Sequence, residues 1–503
     1  MPAFRKILIA NRGEIAVRVA SSCRAMGIPS VAVFSDVDRD ALHVRACDEA
    51  VRIGPAEAVR SYLDIDAVVA AARRTGADAI HPGYGFLSQN ADFADAVAAA
   101  GLAFIGPPGE VHRRMGDKQG ARRLMAKAGV PVVPGYDGDD QSDATLAAQA
   151  QAIGWPVLIK PSRGGGGKGM RAVERAGDFA SALAACRREA QAAFGAEAMV
   201  LERLLSRPRH VEAQVLADAH GGLIHLLERE CSIQRRHQKV VEETPSPALT
   251  PSRRQALCEA GVAAARAACY VNAGTVEFLL DTSGRFYFLE MNTRLQVEHP
   301  VTEAVTGLDL VRLQILIAAG RPLPLGQADA IGRGHALECR LYAEDPANDD
   351  LPSPGRILHL SPPQGPGVRF DSGVAAGSEV TVHYDPLLAK VVTWGRDREE
   401  SIGRMAAALQ GTALLGVATN LGRLQAILAE PAFRRGELHT GFVEEHLAEL
   451  SPSPCPPPEA VAAAVAALHV ARQPAPGHSA AVPDPWQSLG SWRIGRGPGG
   501  ASP

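Results

Sequence analysis

The N-terminal hydrophobic pattern alternates short apolar runs with amphipathic segments. Residues 6–10 have the pattern of a short buried strand, residues 15–26 carry apolar side chains at helical spacing, and residues 30–35 form a second apolar run. A later strand ends at residue 80, just before the turn at 81–85. Alternating strands and helices predict a parallel sheet with helices on both faces.

The pattern changes from about residue 115 onward. A helical segment at 118–128 is followed by short strand patterns, and strands at 275–280 and 286–290 flank a turn that predicts a β-hairpin. Another strand-rich block spans 335–394, and the chain after Leu450 is rich in Pro, Ala and Gly, which is typical of linker or frayed chain. We therefore predict an α/β (α+β) protein in four segments: 1–114, 115–330, 331–448 and the tail 449–503.

Composition narrows the class of protein. The chain has 503 residues, 46% of them hydrophobic, and a net charge of −3. This small net charge gives no overall electrostatic attraction to nucleic acid or to an anionic membrane. No apolar run approaches the roughly 18 residues of a membrane span. Eight scattered cysteines without a C-x-x-C pair argue against zinc and against a disulfide framework. We expect a cytoplasmic protein without nucleic-acid or membrane partners.

A glycine run at 163–170 is the first candidate for chemistry. It is no P-loop, because Gly169 follows Lys168 where Ser or Thr is needed, and the only glycine in the first turn of the chain, Gly13, does not make a dinucleotide fingerprint. Strand–glycine loop–strand predicts a hairpin flap whose N–H groups close over phosphates. A mobile surface hairpin is the alternative, and the flanking Lys160 and Lys168 favour the phosphate interpretation.

Two carboxylates in the predicted hairpin suggest a cation site. Glu277 and Glu290 lie at nearly matching distances from the turn, so their side chains would be about 5 Å apart. Two buried carboxylates at that distance repel unless a cation lies between them, and Asn292 would add an amide oxygen. This donor set suits Mg²⁺. The alternative is a pair of solvated glutamates on a sheet face.

Polar residues continue beyond the hairpin. If the chain stays extended, Asn292, Arg294, Gln296 and Glu298 share one face. Arg294 could then clamp a small planar anion and Glu298 could act as a base. The basic run at 234–239 adds positive charge, although such a run alone is typical of a solvated surface.

Together these segments resemble the biotin carboxylases, the biotin-carboxylating subunits or domains of acetyl-CoA, propionyl-CoA and methylcrotonyl-CoA carboxylases. The matching segments occur in the family's order between residues 4 and 447: HPGYGFLS (81–88), MGDK (115–118), VLIKPSRGGGGKGMR (157–171), RPRHVEAQVLAD (207–218), CSIQRRHQKVVEE (231–243), EMNTRLQVEHPVTE (290–303) and GHALECRLYAEDP (334–346). The resemblance implies a Rossmann-like N-terminal parallel sheet, a central ATP-grasp domain with a glycine-rich flap and a C-terminal mixed β-rich domain. It also implies an ATP-dependent ligase that forms carboxyphosphate from ATP and bicarbonate and carboxylates biotin.

The resemblance assigns roles to individual residues. The implied ATP-binding residues are Lys118, Lys160, Gly166, Gly167, Glu202, Arg203, Leu204, Leu205, His210, Gln234, His237, Glu277 and Glu290. The implied ligands of Mg²⁺ (or Mn²⁺) are Glu277, Glu290 and Asn292, and the implied bicarbonate cradle is Lys239, Arg294 and the backbone of Val297. Tyr84, Gln296 and Arg340 would bind biotin, and the implied catalytic residues are Arg294, Lys239, Arg340 and Glu298, the last as general base on bicarbonate.

The chain departs from the family's pattern at Gln89, Glu230 and Arg163. We expect none of these to contact the groups assigned to chemistry, although Gln89 lies near the biotin-side loop. In this family biotin is attached to the lysine of a Met-Lys pair in a small carrier domain, and no methionine of this chain is followed by lysine. The tail is also short for a carrier domain of roughly 70–80 residues, because small domains need most of their chain for a core. We therefore expect biotin on a carrier partner, with carboxyltransferase subunits and a homodimer or larger complex.

Two alternatives stay open at this stage. One is another ATP-grasp ligase that activates a different carboxylate as an acyl phosphate. The other is a nucleotide-binding regulatory module without turnover. The presence of Lys239, Arg294 and Glu298 favours bicarbonate chemistry over both.

Overall fold

Buried apolar runs form a five-stranded parallel sheet at the N-terminal end. In the computed structural model, which describes residues 4–162, 169–195, 197–448 and 450, the strand order is β3-β2-β1-β4-β5. The predicted strands and helix of this region are confirmed. Its elements are β1 (Ile7–Ile9), α1 (Gly13–Ala25), β2 (Ser30–Ser35), α2 (Leu42–Ala46), β3 (Glu49–Gly54), α3 (Ile65–Thr75), β4 (Ala79–His81), α4 (Ala91–Ala99), β5 (Ala103–Phe104) and α5 (Gly109–Gly116).

A small antiparallel sheet follows, with the order β6-β9-β7-β8. Its region contains α6 (Lys118–Lys127), β6 (Gly135–Tyr136), α7 (Asp143–Ile153), β7 (Val157–Pro161), β8 (Arg171–Val173), α8 (Phe179–Phe194) and β9 (Met199–Arg203). Ile159 pairs with Arg171, so the two strands on either side of the glycine run are antiparallel partners, as predicted. Arg163, Gly166 and Gly167 lie outside the described residues.

An eight-stranded antiparallel sheet carries most of the polar residues singled out above. Its order is β14-β13-β10-β11-β12-β15-β22-β20. Its first five strands in the chain are β10 (Arg209–Ala217), β11 (Leu223–Arg235), β12 (Gln238–Thr244), β13 (Asn272–Leu280) and β14 (Phe286–Asn292), and the helices among them and after them are α9 (Pro251–Ala267), α10 (His299–Thr306) and α11 (Leu310–Ala318). The predicted hairpin is therefore confirmed as β13 and β14.

The strand-rich block after residue 330 completes this sheet, because β15 pairs with β12. The elements of this block are β15 (His335–Tyr342), β16 (Glu344–Asp345), β17 (Leu351–Pro352), β18 (Gly355–Arg356), β19 (His359–Ser361), β20 (Val368–Ser372), β21 (Glu379–Val380), β22 (Leu387–Gly395), α12 (Arg398–Gly411), β23 (Ala413–Leu415), α13 (Leu421–Ala429), α14 (Pro431–Arg434) and α15 (Phe442–Glu445). Helix α12 packs on β22 and β15 over a core that includes Leu337, Val391 and Leu409.

The helices are of ordinary globular length. In the described part of the chain, none is both long enough and apolar enough to cross a bilayer. The predicted tail, residues 449–503, lies outside the described residues except for Leu450.

Candidate active site

Lys239, near the start of β12, lies among three carboxylates. Its Nζ is 2.6 Å from Glu212, 2.9 Å from Glu277 and 2.6 Å from Glu298. Burial disfavours the ammonium, but Cys231 and these three carboxylates raise the pKa of Lys239 well above its ordinary value. The lysine therefore carries a fixed positive charge at neutral pH.

Glu298 bridges Lys239 and Arg340. Besides the lysine, its carboxylate accepts a hydrogen bond from Arg340 Nη2 at 3.0 Å, and the Arg340 Nε donates to Glu242 at 2.5 Å. Burial opposes ionisation of Glu298, yet the charges of Lys239 and Arg340 hold its pKa well below its usual range. The structure thus brings together three of the four predicted catalytic residues.

Arg294 reaches the same site by a route that the sequence did not predict. The extended strand expected over residues 292–298 is wrong, because β14 ends at Asn292 and the chain is irregular until α10 begins. Leu295 is completely buried in the apolar core, which turns the chain away from the sheet. Arg294 folds back, and its guanidinium donates to Gln296 Oε1 at 2.6 Å and to Asn292 Oδ1 at 3.2 Å.

Gln89 also contacts Arg294, which corrects a second expectation. Its Oε1 accepts a hydrogen bond from Arg294 Nε at 2.8 Å, so this departure from the family's pattern does touch a predicted catalytic residue. The side chain arrives from the segment between β4 and α4, where Tyr84 also lies. A neutral acceptor at this place orients the guanidinium without neutralising its charge.

Glu277 and Glu290 are directly opposite each other in the β13–β14 ladder, as predicted. Glu277 Oε1 accepts hydrogen bonds from Lys239, Asn292 and Gln296, each at 2.9 Å, and its Oε2 is 3.0 Å from His210 Nε2. The Glu290 carboxylate has no hydrogen bond or ion pair among the described residues. Burial and the negative charge of Glu277 raise the pKa of Glu290, which is the electrostatic situation that a bound cation relieves.

The oxygen atoms of this pair and of Asn292 suit a hard cation. Glu277, Glu290 and the Asn292 amide offer oxygen ligands, which Mg²⁺ prefers. Two other groups of buried residues with possible ligand atoms lie beside them, and in each group one such atom per residue lies within 4.8 Å of the others. They are His210, Glu212 and Glu277, and Glu212, Cys231 and Glu298. Neither contains Glu290, so the cross-strand set is distinct from both.

Several predicted ATP-binding residues form a buried polar cluster nearby. Lys160 pairs with Glu202, which is also 3.0 Å from Arg122 Nη1. Gln234 Nε2 is 2.7 Å from His210 Nδ1, which leaves the His210 Nε2 facing Glu277. Burial lowers the pKa of Lys118, and the charge of Glu290 partly offsets that effect.

The other predicted ATP-binding residues are more peripheral. Arg203 ends β9 with an exposed side chain, and Leu204 and Leu205 follow it half-buried. The backbone N–H of Leu204 donates to the Pro156 carbonyl at 3.0 Å. His237 is exposed in the two-residue turn between β11 and β12, where it and Arg236 have positive φ values of 66° and 48°.

Tyr84, predicted on the biotin side, is held by a turn and by a carboxylate. The Asn11 amide donates to the Tyr84 carbonyl at 2.7 Å and to the Pro82 carbonyl at 2.7 Å. Gly83 has φ +62°, and a Cβ there would lie 2.8 Å from Asn11 Nδ2, so only glycine allows this approach. The Tyr84 hydroxyl donates a hydrogen bond to Glu14.

The structure adds buried charged residues that sequence reasoning missed. Glu212 and Arg229 are completely buried and joined at 2.5 Å, and Glu242 is completely buried against Arg340. Lys390 is likewise completely buried on β22. The available signal was a charged residue at an inward position of an otherwise apolar strand, because such a residue is rarely buried without a partner.

Comparisons with known proteins identify the family of the chain. Three family profiles match consecutive parts of the chain: "Biotin carboxylase, N-terminal domain" over residues 3–112, "Carbamoyl-phosphate synthase L chain, ATP binding domain" over 117–325, and "Biotin carboxylase C-terminal domain" over 338–445. The structure of the biotin carboxylase domain of Hydrogenobacter thermophilus 2-oxoglutarate carboxylase, in complex with MgADP, ADP and bicarbonate, superposes with a TM-score of 0.86 at 43% identity. The match covers 90% of this chain and 99% of that one.

Two curated relatives are matched over different shares of their own length. A mitochondrial methylcrotonoyl-CoA carboxylase subunit alpha from Oryza sativa is 52% identical over 450 residues, which are 89% of this chain and 61% of the relative. The chain thus spans about three fifths of the length of that subunit. A biotin carboxylase from a Nostoc species is 52% identical over 442 residues, which are 88% of this chain and 99% of the relative. The chain therefore belongs to the biotin carboxylase family of ATP-dependent ligases.

Proposed function

We propose that this chain uses ATP and bicarbonate to carboxylate biotin, the first half-reaction of an acyl-CoA carboxylase. The observation that carries the proposal is the Lys239–Glu298–Arg340 cluster beside Arg294. Glu298 stays ionised between the fixed cations Lys239 and Arg340, so it provides a proton acceptor. Arg294, a third cation with neutral partners, completes a cradle for a small anion.

Bicarbonate would bind between Arg294, Lys239 and the backbone of Val297. Glu298 is ionised at neutral pH and would accept the bicarbonate O–H proton at a carboxylate oxygen. The oxygen so activated attacks the γ-phosphorus of ATP, ADP leaves, and carboxyphosphate forms. Fixed charges in a site that excludes water stabilise such a transition state and need no reorganisation during the reaction.

Biotin would lie on the side of Tyr84, Gln296 and Arg340. After carboxyphosphate breaks down to CO₂ and phosphate, the phosphate removes the ureido N–H proton, and the deprotonated nitrogen attacks CO₂ to form carboxybiotin. Arg340 would stabilise the negative charge that develops on the ureido oxygen, because its guanidinium is fixed by Glu242 and Glu298.

Lys118, Lys160 and His210 would bind the nucleotide together with the other ATP-binding residues predicted above, including Gly166 and Gly167 of the proposed flap. Glu277, Glu290 and Asn292 would hold Mg²⁺ or Mn²⁺, which when bound neutralises phosphate charge. A cation there would replace part of the hydrogen bonding that now holds Glu277.

The finer assignments belong to the same proposal. Biotin would arrive on a carrier protein or domain, and carboxyltransferase subunits would use the product, within a homodimer or larger complex. The segments 1–114, 115–330 and 331–448 would act as the three domains of the enzyme. The Oryza relative is mitochondrial by name, so a cytoplasmic location of this chain stays a prediction.

The proposal is tested by ATP cleavage with and without bicarbonate and free biotin. Purified protein should release phosphate faster when both are present. Arg294→Ala should lower this turnover about 10²-fold or more, a typical loss for one preorganised charge stabiliser, with ATP affinity little changed.

Arg285→Ala is the matched control, because Arg285 is 69% exposed at the turn of the same hairpin. Bicarbonate-independent ATP cleavage would instead identify another ATP-grasp ligase, and the absence of any turnover would identify a regulatory module. Loss of ATP binding in Arg294→Ala in step with turnover would contradict the role given to Arg294.

A further inference from the structure

Lys390 lies in β22 and is completely buried. Its Nζ is 3.1 Å from Glu14 Oε1 and donates a hydrogen bond to the Val297 carbonyl at 2.8 Å. A buried ammonium is costly unless its charge is paired and its N–H donors are used. Both partners of Lys390 border the site proposed for biotin carboxylation.

Glu14 is shared between Lys390 and the biotin side of the site. It lies in the first turn of α1, and the oxygen that faces Lys390 also accepts the hydrogen bond from the Tyr84 hydroxyl. The turn at Gly373 closes over this helix end, because a Cβ there would lie 2.7 Å from the Glu14 backbone nitrogen. The Glu14 side chain is therefore held by Lys390 and Tyr84, and its backbone is held by the turn at Gly373.

The charges around Lys390 keep it protonated. In the register of the sheet Lys390 is opposite Arg340 on β15 and opposite Asp371 on β20. Burial disfavours the charged form, but Glu14, Glu338 and Asp371 raise the pKa of Lys390 above its ordinary value. Its hydrogen bond to Val297 is thus charge-assisted, which makes it stronger than a neutral one.

The Val297 carbonyl and the Glu298 N–H belong to one planar peptide unit. By holding the carbonyl, Lys390 fixes the orientation of the peptide that leads into Glu298, the N-cap residue of α10 and the proposed base. The result is a continuous chain of contacts from the Tyr84 hydroxyl through Glu14 and Lys390 to the Val297–Glu298 peptide.

We propose that Lys390 is a positioning residue that orients the Val297–Glu298 peptide for bicarbonate and, through the Glu14 carboxylate, links it to Tyr84 on the biotin side. The inference rests on the proposed function. It assigns to a buried residue of β22 a role that neither the motifs nor the charge pattern of the sequence indicated.

The test compares Lys390→Met and Lys390→Arg with the unaltered chain and with Arg398→Met. Arg398, at the start of α12, is a matched control, because it also pairs with a buried glutamate of this sheet, Glu243, at 2.7 Å. Among the described residues it makes no hydrogen bond or ion pair with a proposed site residue. Two measurements are made on each protein: the KM values for bicarbonate and ATP, and amide hydrogen exchange over residues 295–300.

We expect Lys390→Met to raise the bicarbonate KM about tenfold, which corresponds to the loss of one hydrogen bond to a charged group. The ATP KM should stay within about twofold of the unaltered value, and exchange over 295–300 should become faster. Lys390→Arg should restore part of both effects, because arginine keeps the charge and several donors.

The proposal is overturned if Lys390→Met changes the bicarbonate and ATP KM values equally and by the same factors as Arg398→Met. It is also overturned if hydrogen exchange over residues 295–300 is unchanged in Lys390→Met. If Lys390→Met does not fold, Lys390→Gln takes its place, because it removes the charge while keeping a polar side chain in the buried site. A bicarbonate KM and an exchange rate equal to those of the unaltered chain would then overturn the proposal. Absence of bicarbonate-dependent ATP cleavage in the unaltered chain would refute the proposed function, and hydrogen exchange would still decide whether Lys390 holds the peptide.

Discussion

Arg294 differs from the neighbouring cations in the kind of partners that orient it. Its hydrogen bonds go to amide oxygens of Gln89, Gln296 and Asn292 and to the Leu295 carbonyl, which are all neutral. Lys239 and Arg340, in contrast, are paired with carboxylates. Neutral acceptors fix the direction of a guanidinium while leaving its charge available to an anion. Of the three cations in the proposed site, Arg294 is therefore the one whose charge is most available to the proposed bicarbonate.

This difference predicts the effect of one charge at position 89. Gln89→Glu places a carboxylate beside Arg294 Nε, and the new ion pair competes with bicarbonate. Because this contact is solvent-exposed, we expect the bicarbonate KM to rise only about two- to fivefold, less at high salt, with the ATP KM unchanged. Steady-state kinetics at two ionic strengths check this, with the exposed Gln255→Glu as control. An unchanged bicarbonate KM at low salt would contradict the competition.

Two contacts at this scale, one predicted and one not, were not equally accessible from the sequence. Glu277 and Glu290 could be placed opposite each other because a short turn fixes the register of a hairpin. The contact between Gln89 and Arg294 joins residues 205 positions apart, and no local pattern encodes it. Buried residues such as Glu212 were missed for the same reason, since their partners come from other strands.

At the scale of elements, the β13–β14 hairpin places the proposed cation ligands and then ends. Period-two polarity continued past Asn292, which suggested a longer strand, but alternation alone does not provide a pairing partner. Leu295 is drawn into the core with Leu310 and Val311, and Thr293 Oγ1 lies 2.7 Å from His112 Nδ1. Tertiary packing therefore decided where the strand stops, and the polar side chains still converge because Arg294 turns back.

The hairpin predicts the metal requirement. Glu290→Gln removes the carboxylate that has no hydrogen bond or ion pair within the described part of the chain, and so weakens the attraction for a divalent cation. We expect about tenfold more Mg²⁺ to be needed for half-maximal ATP cleavage, a loss in the range seen when a supporting group of a metal site is removed. Mg²⁺ titration of the initial rate measures this, and Glu259→Gln on the exposed side of α9 is the control. An unaltered Mg²⁺ requirement would remove Glu290 from the site.

At the scale of the whole molecule, one sheet joins the two predicted segments on either side of residue 330. Strand β12 pairs with β11 on one side and with β15 on the other, with Val241 opposite Cys339. The strand patterns predicted a strand-rich block at 335–394, but they held no signal for which strand that block joins. The site depends on this junction, because Glu242 on β12 holds Arg340 on β15.

Because β12 pairs with β15, cutting the chain after residue 330 should destabilise the sheet. A fragment of residues 1–330 keeps β12 but loses β15, so the N–H and C=O groups along residues 241–244 lose their partners and become an open sheet edge. The apolar side chains of Ile233, Val240 and Val241 would lose the core formed with Leu337 and Val391. We expect this fragment to aggregate on size-exclusion chromatography, whereas co-expression with residues 331–503 should recover soluble complex and ATP cleavage. A monodisperse fragment 1–330 with native-like circular dichroism would show that the sheet does not need its second half.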